Sequence, residues 1–211
     1  MDSLASFFNY IIDNWLLLLT LTWEHIAMVI LGLSLALLIG IPLGVLSAKN
    51  EKLAPVILAT VNIIQVFPSI ALLGILMIFF GLGFKTVVVG LFLYSLLPIV
   101  RNTYVGLREV NGNINQAGTG LGMNAFQLLF KVQLPLSAPF LLAGVRVAAV
   151  IAVAVATLAP FIGGEGLGRS ILDGINSRQP VKIYSGAVIS ALLAIIADLT
   201  LGRAQKKITI K

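Results

Sequence analysis

The sequence contains no cysteine and only one histidine, His25. The missing cysteines exclude disulfide bonds and thiolate metal sites, and one imidazole cannot form a histidine metal cluster. An intramembrane enzyme would need a nucleophile with its base, or a bound metal. The few scattered acidic residues do not supply either, so we expect no catalytic site and no metal site in this chain.

Charge is also scarce, with 10% of residues charged and 59% hydrophobic. Soluble domains carry about a quarter charged residues. A chain of 211 residues cannot bury that much apolar surface in one water-soluble globule, so we expect a single transmembrane domain in contact with lipid. The net charge of +6 is then better explained by orientation in the membrane than by nucleic-acid binding.

No lysine or arginine precedes Lys49, and the first residues include Asp2 and Asp13. Secretory signals begin with a positively charged region, so we expect this segment to be retained. Residues 4–21 are apolar but interrupted by polar side chains. The pattern predicts an N-terminal interfacial helix within residues 1–22, with a sixth span as the alternative.

Long apolar segments dominate the remainder, and each approaches the roughly 20 residues that cross a bilayer. They predict an all-α membrane protein with five transmembrane helices, at residues 26–48, 53–80, 86–107, 136–162 and 184–201.

The second segment is too long for a simple span and contains a proline, Pro68. Proline removes a backbone donor and clashes with the preceding turn, so we expect a kink whose freed carbonyls face other helices. The neutral polar residues Asn62, Gln65 and Ser69 surround it. We predict that these residues and Pro68 line a translocation pathway, with interhelical hydrogen bonding as the alternative.

Basic residues cluster after the first, third and fifth spans, which places those three regions in the cytoplasm. The residues are Lys49, Lys52, Arg108, Lys131, Arg203, Lys206, Lys207 and Lys211. The sequence therefore predicts an external N-terminus, an extracytoplasmic loop at residues 163–182 and a cytoplasmic C-terminus. It also places the loop at residues 109–135 in the cytoplasm.

This cytoplasmic loop has a helical pattern. Ile114, Ala117 and Leu121 recur at helical spacing, and Asn124 with Gln127 resembles a capping box that opens a second helix. We expect that helix to end by Pro135. The pattern predicts a helix–turn–helix lying flat under the membrane.

The string Gln116-Ala117-Gly118-Thr119-Gly120-Leu121-Gly122, followed by Leu134-Pro135, resembles the EAA loop of ATP-binding cassette (ABC) importer permeases. Gln116 replaces the usual glutamate and Gly118 the second alanine. The resemblance implies the type I importer permease fold, with a cytoplasmic coupling helix. It also implies that Gln116, Ala117, Gly118, Leu121, Gly122 and Pro135 couple this chain to an ATPase.

Further stretches, at residues 62–73, 97–107, 144–146 and 157–168, resemble permeases that import glycine betaine, carnitine or choline. That resemblance implies a second permease subunit, identical or paralogous, two ATPase subunits and an extracytoplasmic solute-binding protein. ATP and Mg would bind the ATPase, so no cofactor is expected in this chain. A permease for methionine or another amino acid remains an alternative, as does an ATP-independent channel, which would have no use for the loop.

Three charged residues lie inside the predicted spans, namely Arg101, Arg146 and Asp198. Charges within a bilayer usually face protein or water. We expect structural roles for all three. Arg101 would extend toward the cytoplasmic interface, and Arg146 would pair with a carboxylate such as Asp198 or with helix-end carbonyls.

Overall fold

The computed structural model describes residues 2–209, and side chains are described from residue 5 to residue 208. Lys211, one of the predicted cytoplasmic basic residues, lies outside the described residues. The side chains of Asp2 and Leu4, in the predicted interfacial segment, also lie outside them.

Helices dominate residues 2–209. They are α1 (Asp2–Asp13), α2 (Trp15–Lys49), α3 (Leu53–Val66), α4 (Ser69–Phe80), α5 (Phe84–Arg108), α6 (Gly112–Gly120), α7 (Ala125–Leu128), α8 (Leu134–Ala156), α9 (Gly168–Asn176) and α10 (Pro180–Thr209). A π-helical turn, Leu129–Gln133, joins α7 to α8, and a 3₁₀ turn, Ala159–Ile162, follows α8. The predicted all-α membrane fold is confirmed.

Four continuous helical segments within the described residues are long and apolar enough to cross a membrane: Trp15–Lys49, Phe84–Arg108, Ala125–Ala156 and Pro180–Ile208. The pair α3 and α4 forms a fifth candidate span, bent by 101° at its break. Five spans therefore agree with the sequence, but the second is broken rather than kinked.

The first span starts earlier than the sequence indicated. Residues 15–21, assigned above to an interfacial helix, belong to α2, and only α1 is separate. The two helices part at Asn14, whose side-chain amide donates to the carbonyl of Tyr10 at 3.0 Å. The apolar residues that follow Asn14 belong to the first span because α2 continues without a break from Trp15 to Lys49. The interfacial location of α1 stays a prediction.

The central helix of the bundle is α5. The order of contacts along its neighbours shows whether each one runs parallel or antiparallel to it. Along α2, successive close approaches are Gly32 with Leu91, Gly40 with Ile99 and Gly44 with Thr103, so α2 runs parallel to α5. From the turn before α3 to α4, the partners are Glu51 with Arg108, Val61 with Val100, Phe67 with Tyr94 and Leu73 with Gly90. The order is reversed, so the broken pair crosses antiparallel to α5.

The remaining spans continue the alternation. Gly106 approaches Ser137 and Phe140, and Gly144 approaches Pro98, so α8 is antiparallel to α5. The contacts of α10 with α8 are likewise reversed in order, Arg146 with Asp198 and Pro139 with Gln205. The C-terminal ends of α2, α5 and α10 therefore share one face with the α6–α7 hairpin. The turn after α8 and helix α9 lie at the opposite face.

Candidate coupling hairpin and translocation groove

The first arm of the hairpin is α6, a short helix held by caps at both ends. The Asn111 side chain accepts from the backbone N–H of Asn113 at 2.8 Å. At the other end, Met123 N–H donates to Gly118 O at 3.1 Å and Gly122 N–H to Thr119 O at 2.9 Å. This bond pair is the Schellman arrangement that closes many helices.

Gly122 is the residue that permits this closure. Its φ is +80°, in the left-handed region that costs other residues roughly 1–2 kcal/mol. A side chain added there would meet no heavy atom within 4 Å. The glycine is therefore required by the backbone of the turn, and its outer side is open to a partner.

The second arm opens with the predicted capping box. Gln127 N–H donates to Asn124 Oδ1 at 2.9 Å, and Asn124 N–H donates to Gln127 Oε1 at 3.0 Å. The side-chain amide of Gln133 donates to Asn115 Oδ1 at 3.1 Å, which ties the base of this arm to α6. The hairpin is thus an ordered unit with its own hydrogen bonds.

The expectation that this arm ends by Pro135 is wrong, since the helix runs without interruption into the α8 span. The π turn makes this possible. Leu134 N–H bonds Leu129 O, five residues back, and the widened turn relieves the clash between a proline ring and the turn before it. The hairpin is therefore rigidly continuous with a membrane-spanning helix.

The other coupling residues divide into two groups. Gln116, Ala117 and Leu121 are exposed on α6 and its cap, whereas Gly118 is buried. A Cβ at Gly118 would lie 2.6 Å from Leu128 Cδ1. The position that is the second alanine of the EAA loop therefore packs against Leu128 within the hairpin. Gly118 allows the two arms to approach closely and does not face a partner directly.

The hairpin also exposes large apolar side chains, of which Leu121 was assigned to coupling from the sequence, whereas Phe126 and Phe130 were not. Leu121 is 80% exposed, Phe126 68% and Phe130 52%. The two phenylalanine rings are in contact, with centroids 4.4 Å apart and their planes tilted by 39°. An aromatic pair one turn apart on a polar loop was the signal available in the sequence. Exposed apolar clusters of this kind mark surfaces that contact another protein or a membrane.

The break in the second span is held by the chain itself. The Tyr94 hydroxyl donates to the carbonyl of Phe67, so one freed backbone group has a partner from α5, as polar groups in a membrane require. Phe67 and Pro68 are both in extended conformations, with ψ of 136° and 132°. Two consecutive extended residues interrupt the helix, so the span is divided into two helices bent by 101° instead of one kinked helix.

The predicted pathway residues do not all line the same cavity. Asn62 lines a cavity of about 450 Å³ between α3 and α5, together with Arg101 and Tyr104. Gln65, Pro68 and Ser69 do not line it. Arg101 also lines this groove, and the expectation that it extends toward the cytoplasmic interface stays a prediction. The pathway role of the four residues stays a prediction.

Arg146 and Asp198 form an ion pair between α8 and α10. Arg146 Nη2 donates to Asp198 Oδ2 at 2.7 Å, and Nε donates to Oδ1. Two parallel bonds of this kind fix both distance and angle between the side chains. The pair joins two spans, and its side chains remain 39% and 35% exposed.

The opposite face of the molecule carries a separate group of charges. Arg169 pairs with Glu165 and lies 3.9 Å from Asp173. The hydrogen bond from Arg169 to Glu165, followed by the charges of the nearby carboxylates, raises the pKa of the guanidinium. Among the described residues, no group of three or more His, Asp or Glu side chains could hold a metal ion.

A bundle of alternating spans, with an ordered hairpin continuous with one of them, is the architecture of a membrane-spanning transport subunit. The chain belongs to the family described as binding-protein-dependent transport system inner membrane component, whose model matches residues 40–210.

Proteins of similar sequence and structure are also transport-system proteins. The chain is 41% identical to the carnitine transport permease protein OpuCD of Listeria monocytogenes, over 96% of this chain and 91% of that protein. It is 44% identical to the choline transport system permease protein OpuBB of Bacillus subtilis, over 91% of this chain and 88% of that protein. An inward-facing structure of the MetNI methionine ABC transporter matches with a TM-score of 0.83 at 23% identity, covering 93% of this chain and 98% of that one. The fold is that of type I ABC importer permeases.

Proposed function

We propose that this chain is the membrane-spanning subunit of an ATP-driven importer that moves a quaternary-ammonium osmoprotectant, such as glycine betaine, carnitine or choline, by alternating access. The observation that carries the proposal is the similarity, over nine-tenths or more of the chain, to permeases named for carnitine and choline transport. The likeness to the methionine transporter concerns the fold alone, so it favours no amino-acid substrate.

The assembly in this proposal contains two permease subunits, identical or paralogous, two ATPase subunits and an extracytoplasmic binding protein. Closed symmetric pairs are the commonest assemblies, and two bundles can enclose a hydrated path that one bundle of five spans cannot. ATP and Mg bind to the ATPases, and this chain performs no catalysis itself. Its hairpin surface of Leu121, Phe126 and Phe130 supports a docking role, since an apolar surface of this kind needs a partner in water.

The hairpin is also suited to carry motion. ATPase subunits that close on nucleotide move as rigid bodies, and a hairpin seated on them follows. Because the second arm continues through Pro135 into α8, displacement of the hairpin tilts a whole span. The α8–α10 ion pair then transmits that tilt to a second span.

The transport claim is tested with the complete complex, purified with its co-expressed neighbours and reconstituted in vesicles. We expect ATP-dependent accumulation of a trimethylammonium solute and no accumulation without ATP. Methionine serves as the comparison solute. ATP-driven uptake of methionine but not of any quaternary-ammonium solute would contradict the proposed substrate class, and uptake without ATP would indicate a channel.

We also propose that the hairpin face is cytoplasmic and that the N-terminus lies outside. Because the sequence has no cysteine, single cysteines can report this directly. Asn113 and Gln179 are exposed at the two opposite ends of the bundle. In intact cells, a membrane-impermeant thiol reagent should label Gln179→Cys and not Asn113→Cys. The reverse labelling would invert the topology and remove the ATPase from reach of the hairpin.

A further inference from the structure

The groove between α3 and α5 brings together three polar side chains that lack partners. Within residues 5–208, no hydrogen bond or ion pair involves the side chains of Asn62, Arg101 or Tyr104. Arg146, the other arginine well inside a span, is paired with Asp198, and Arg108 at the end of α5 is paired with Glu51. Arg101 therefore differs from its neighbours in having its donors free.

Arg101 lies within a membrane-spanning helix, beside the groove. It lies seven residues before Arg108, the last residue of α5, which at the helical rise puts it roughly 10 Å inside that end. Charged side chains within spans usually face protein or a water-filled cavity rather than lipid, and this groove is such a cavity. The cavity of about 450 Å³ beside it falls within the roughly 300–1,000 Å³ of small-molecule pockets.

The chemistry of the lining suits a molecule with two opposite charges. Arg101 offers a planar fork of donors that matches a carboxylate. Tyr104 lies three residues further along α5, on the same side of the helix, and an aromatic face attracts quaternary ammonium groups. Asn62, on α3, can bond either a hydroxyl or a carboxylate oxygen.

We propose that this groove is a low-affinity solute site in the cytoplasmic half of the span, where Arg101 binds the carboxylate of a zwitterionic solute and Tyr104 contacts its trimethylammonium group. The inference rests on the proposed function and adds that the groove distinguishes solutes with a carboxylate from solutes without one. One aromatic ring and one open groove give weak binding, which suits a site that must release solute to the cytoplasm. Carnitine has both groups, whereas choline has the ammonium and lacks the carboxylate.

The test measures equilibrium binding of labelled carnitine and of labelled choline to the permease–ATPase complex in lipid nanodiscs, without the binding protein. Because hydrogen bonds to charged groups are strong, Arg101→Gln should weaken carnitine binding about tenfold or more. Choline binding should change less than about twofold, since choline makes no charge-assisted bond to Arg101. Tyr104→Leu should weaken both solutes, and more than Tyr104→Phe does, because phenylalanine keeps the ring. Arg108→Gln, at the exposed pair with Glu51, is the matched control and should alter neither solute.

Two results would overturn the inference. One is equal loss, or no loss, of carnitine and choline binding in Arg101→Gln. The other is a dependence on lipid, in which the effect of Arg101→Gln appears only in nanodiscs with phosphatidylglycerol and vanishes in pure phosphatidylcholine. The groove would then hold an anionic lipid headgroup, which shares the oxygen chemistry of a carboxylate.

Reconstituted uptake separates this inference from the proposed function. If the complex imports solute but Arg101→Gln does not give the expected difference between carnitine and choline binding, only the groove proposal is wrong. If that difference is found but the complex imports no solute, only the transport claim is wrong.

Discussion

Gly122→Leu is expected to abolish ATP-driven uptake and to release the ATPase during purification, while the protein still inserts in the membrane. The substitution acts twice at one position. It forces a branched side chain into a backbone with φ of +80°, a conformation that costs roughly 1–2 kcal/mol for such residues. It also adds bulk on the open side of the turn, where overpacking of a close-fitting interface costs about 1–3 kcal/mol. Copurification of the ATPase and solute uptake would be measured together.

Two matched variants separate the causes. Gly122→Asn should retain function, because asparagine tolerates the left-handed conformation. Gly120→Leu adds the same bulk at a neighbouring position with no positive φ and no heavy atom within 4 Å, so any loss there reports contact with a partner. Gln116→Glu, at an exposed position, should be tolerated. If Gly122→Leu keeps both the ATPase and uptake at normal levels, the hairpin is not the coupling element.

Local signals predicted the hairpin well. The Asn124–Gln127 capping box depends on two residues three positions apart, so the sequence alone contains it, and it is present. Whether the helix stops at Pro135 depends instead on the π turn at Leu129–Gln133, which forms where the hairpin meets the span. Such a turn has no local sequence signature comparable to a cap, so the end of the arm was placed wrongly.

The broken span shows a second limit of sequence reasoning. Proline biases the residue before it toward extended conformations, which made a disturbance at Pro68 predictable. The size of the bend follows from two consecutive extended residues and from the Tyr94 hydroxyl on another helix. Partners of this kind are far apart in the chain. For the same reason the groove of Asn62, Arg101 and Tyr104 was not foreseen, since it depends on how α3 packs against α5.

The expectation that Arg146 pairs with a carboxylate or with helix-end carbonyls came from physical cost rather than from a motif. A charge inside a span requires compensation, and few acidic residues were available. The structure places the Arg146 guanidinium in bidentate contact with Asp198. Its role as a structural clamp between α8 and α10 stays a prediction, because a solute ligand would also be charged.

Removal of one member of this pair should therefore harm the protein more than removal of both. Arg146→Leu leaves the Asp198 carboxylate without its partner inside a span, and an uncompensated charge is more damaging than an apolar replacement of the whole pair. We expect low membrane yield and a lower midpoint of thermal unfolding in detergent for Arg146→Leu. The double variant Arg146→Leu with Asp198→Leu should recover both, and Glu51→Gln, at a more exposed ion pair, should change little.

Transport by the double variant decides between the two roles. A clamp that only joins α8 to α10 can be replaced by apolar packing, so recovered stability should bring recovered uptake. If the double variant is stable and still assembles with the ATPase but no longer transports solute, the pair acts on the solute or on the moving spans, and the structural role is wrong. If Arg146→Leu is as stable as the unmodified protein, the carboxylate already has enough water or protein around it, and the clamp does not contribute to stability.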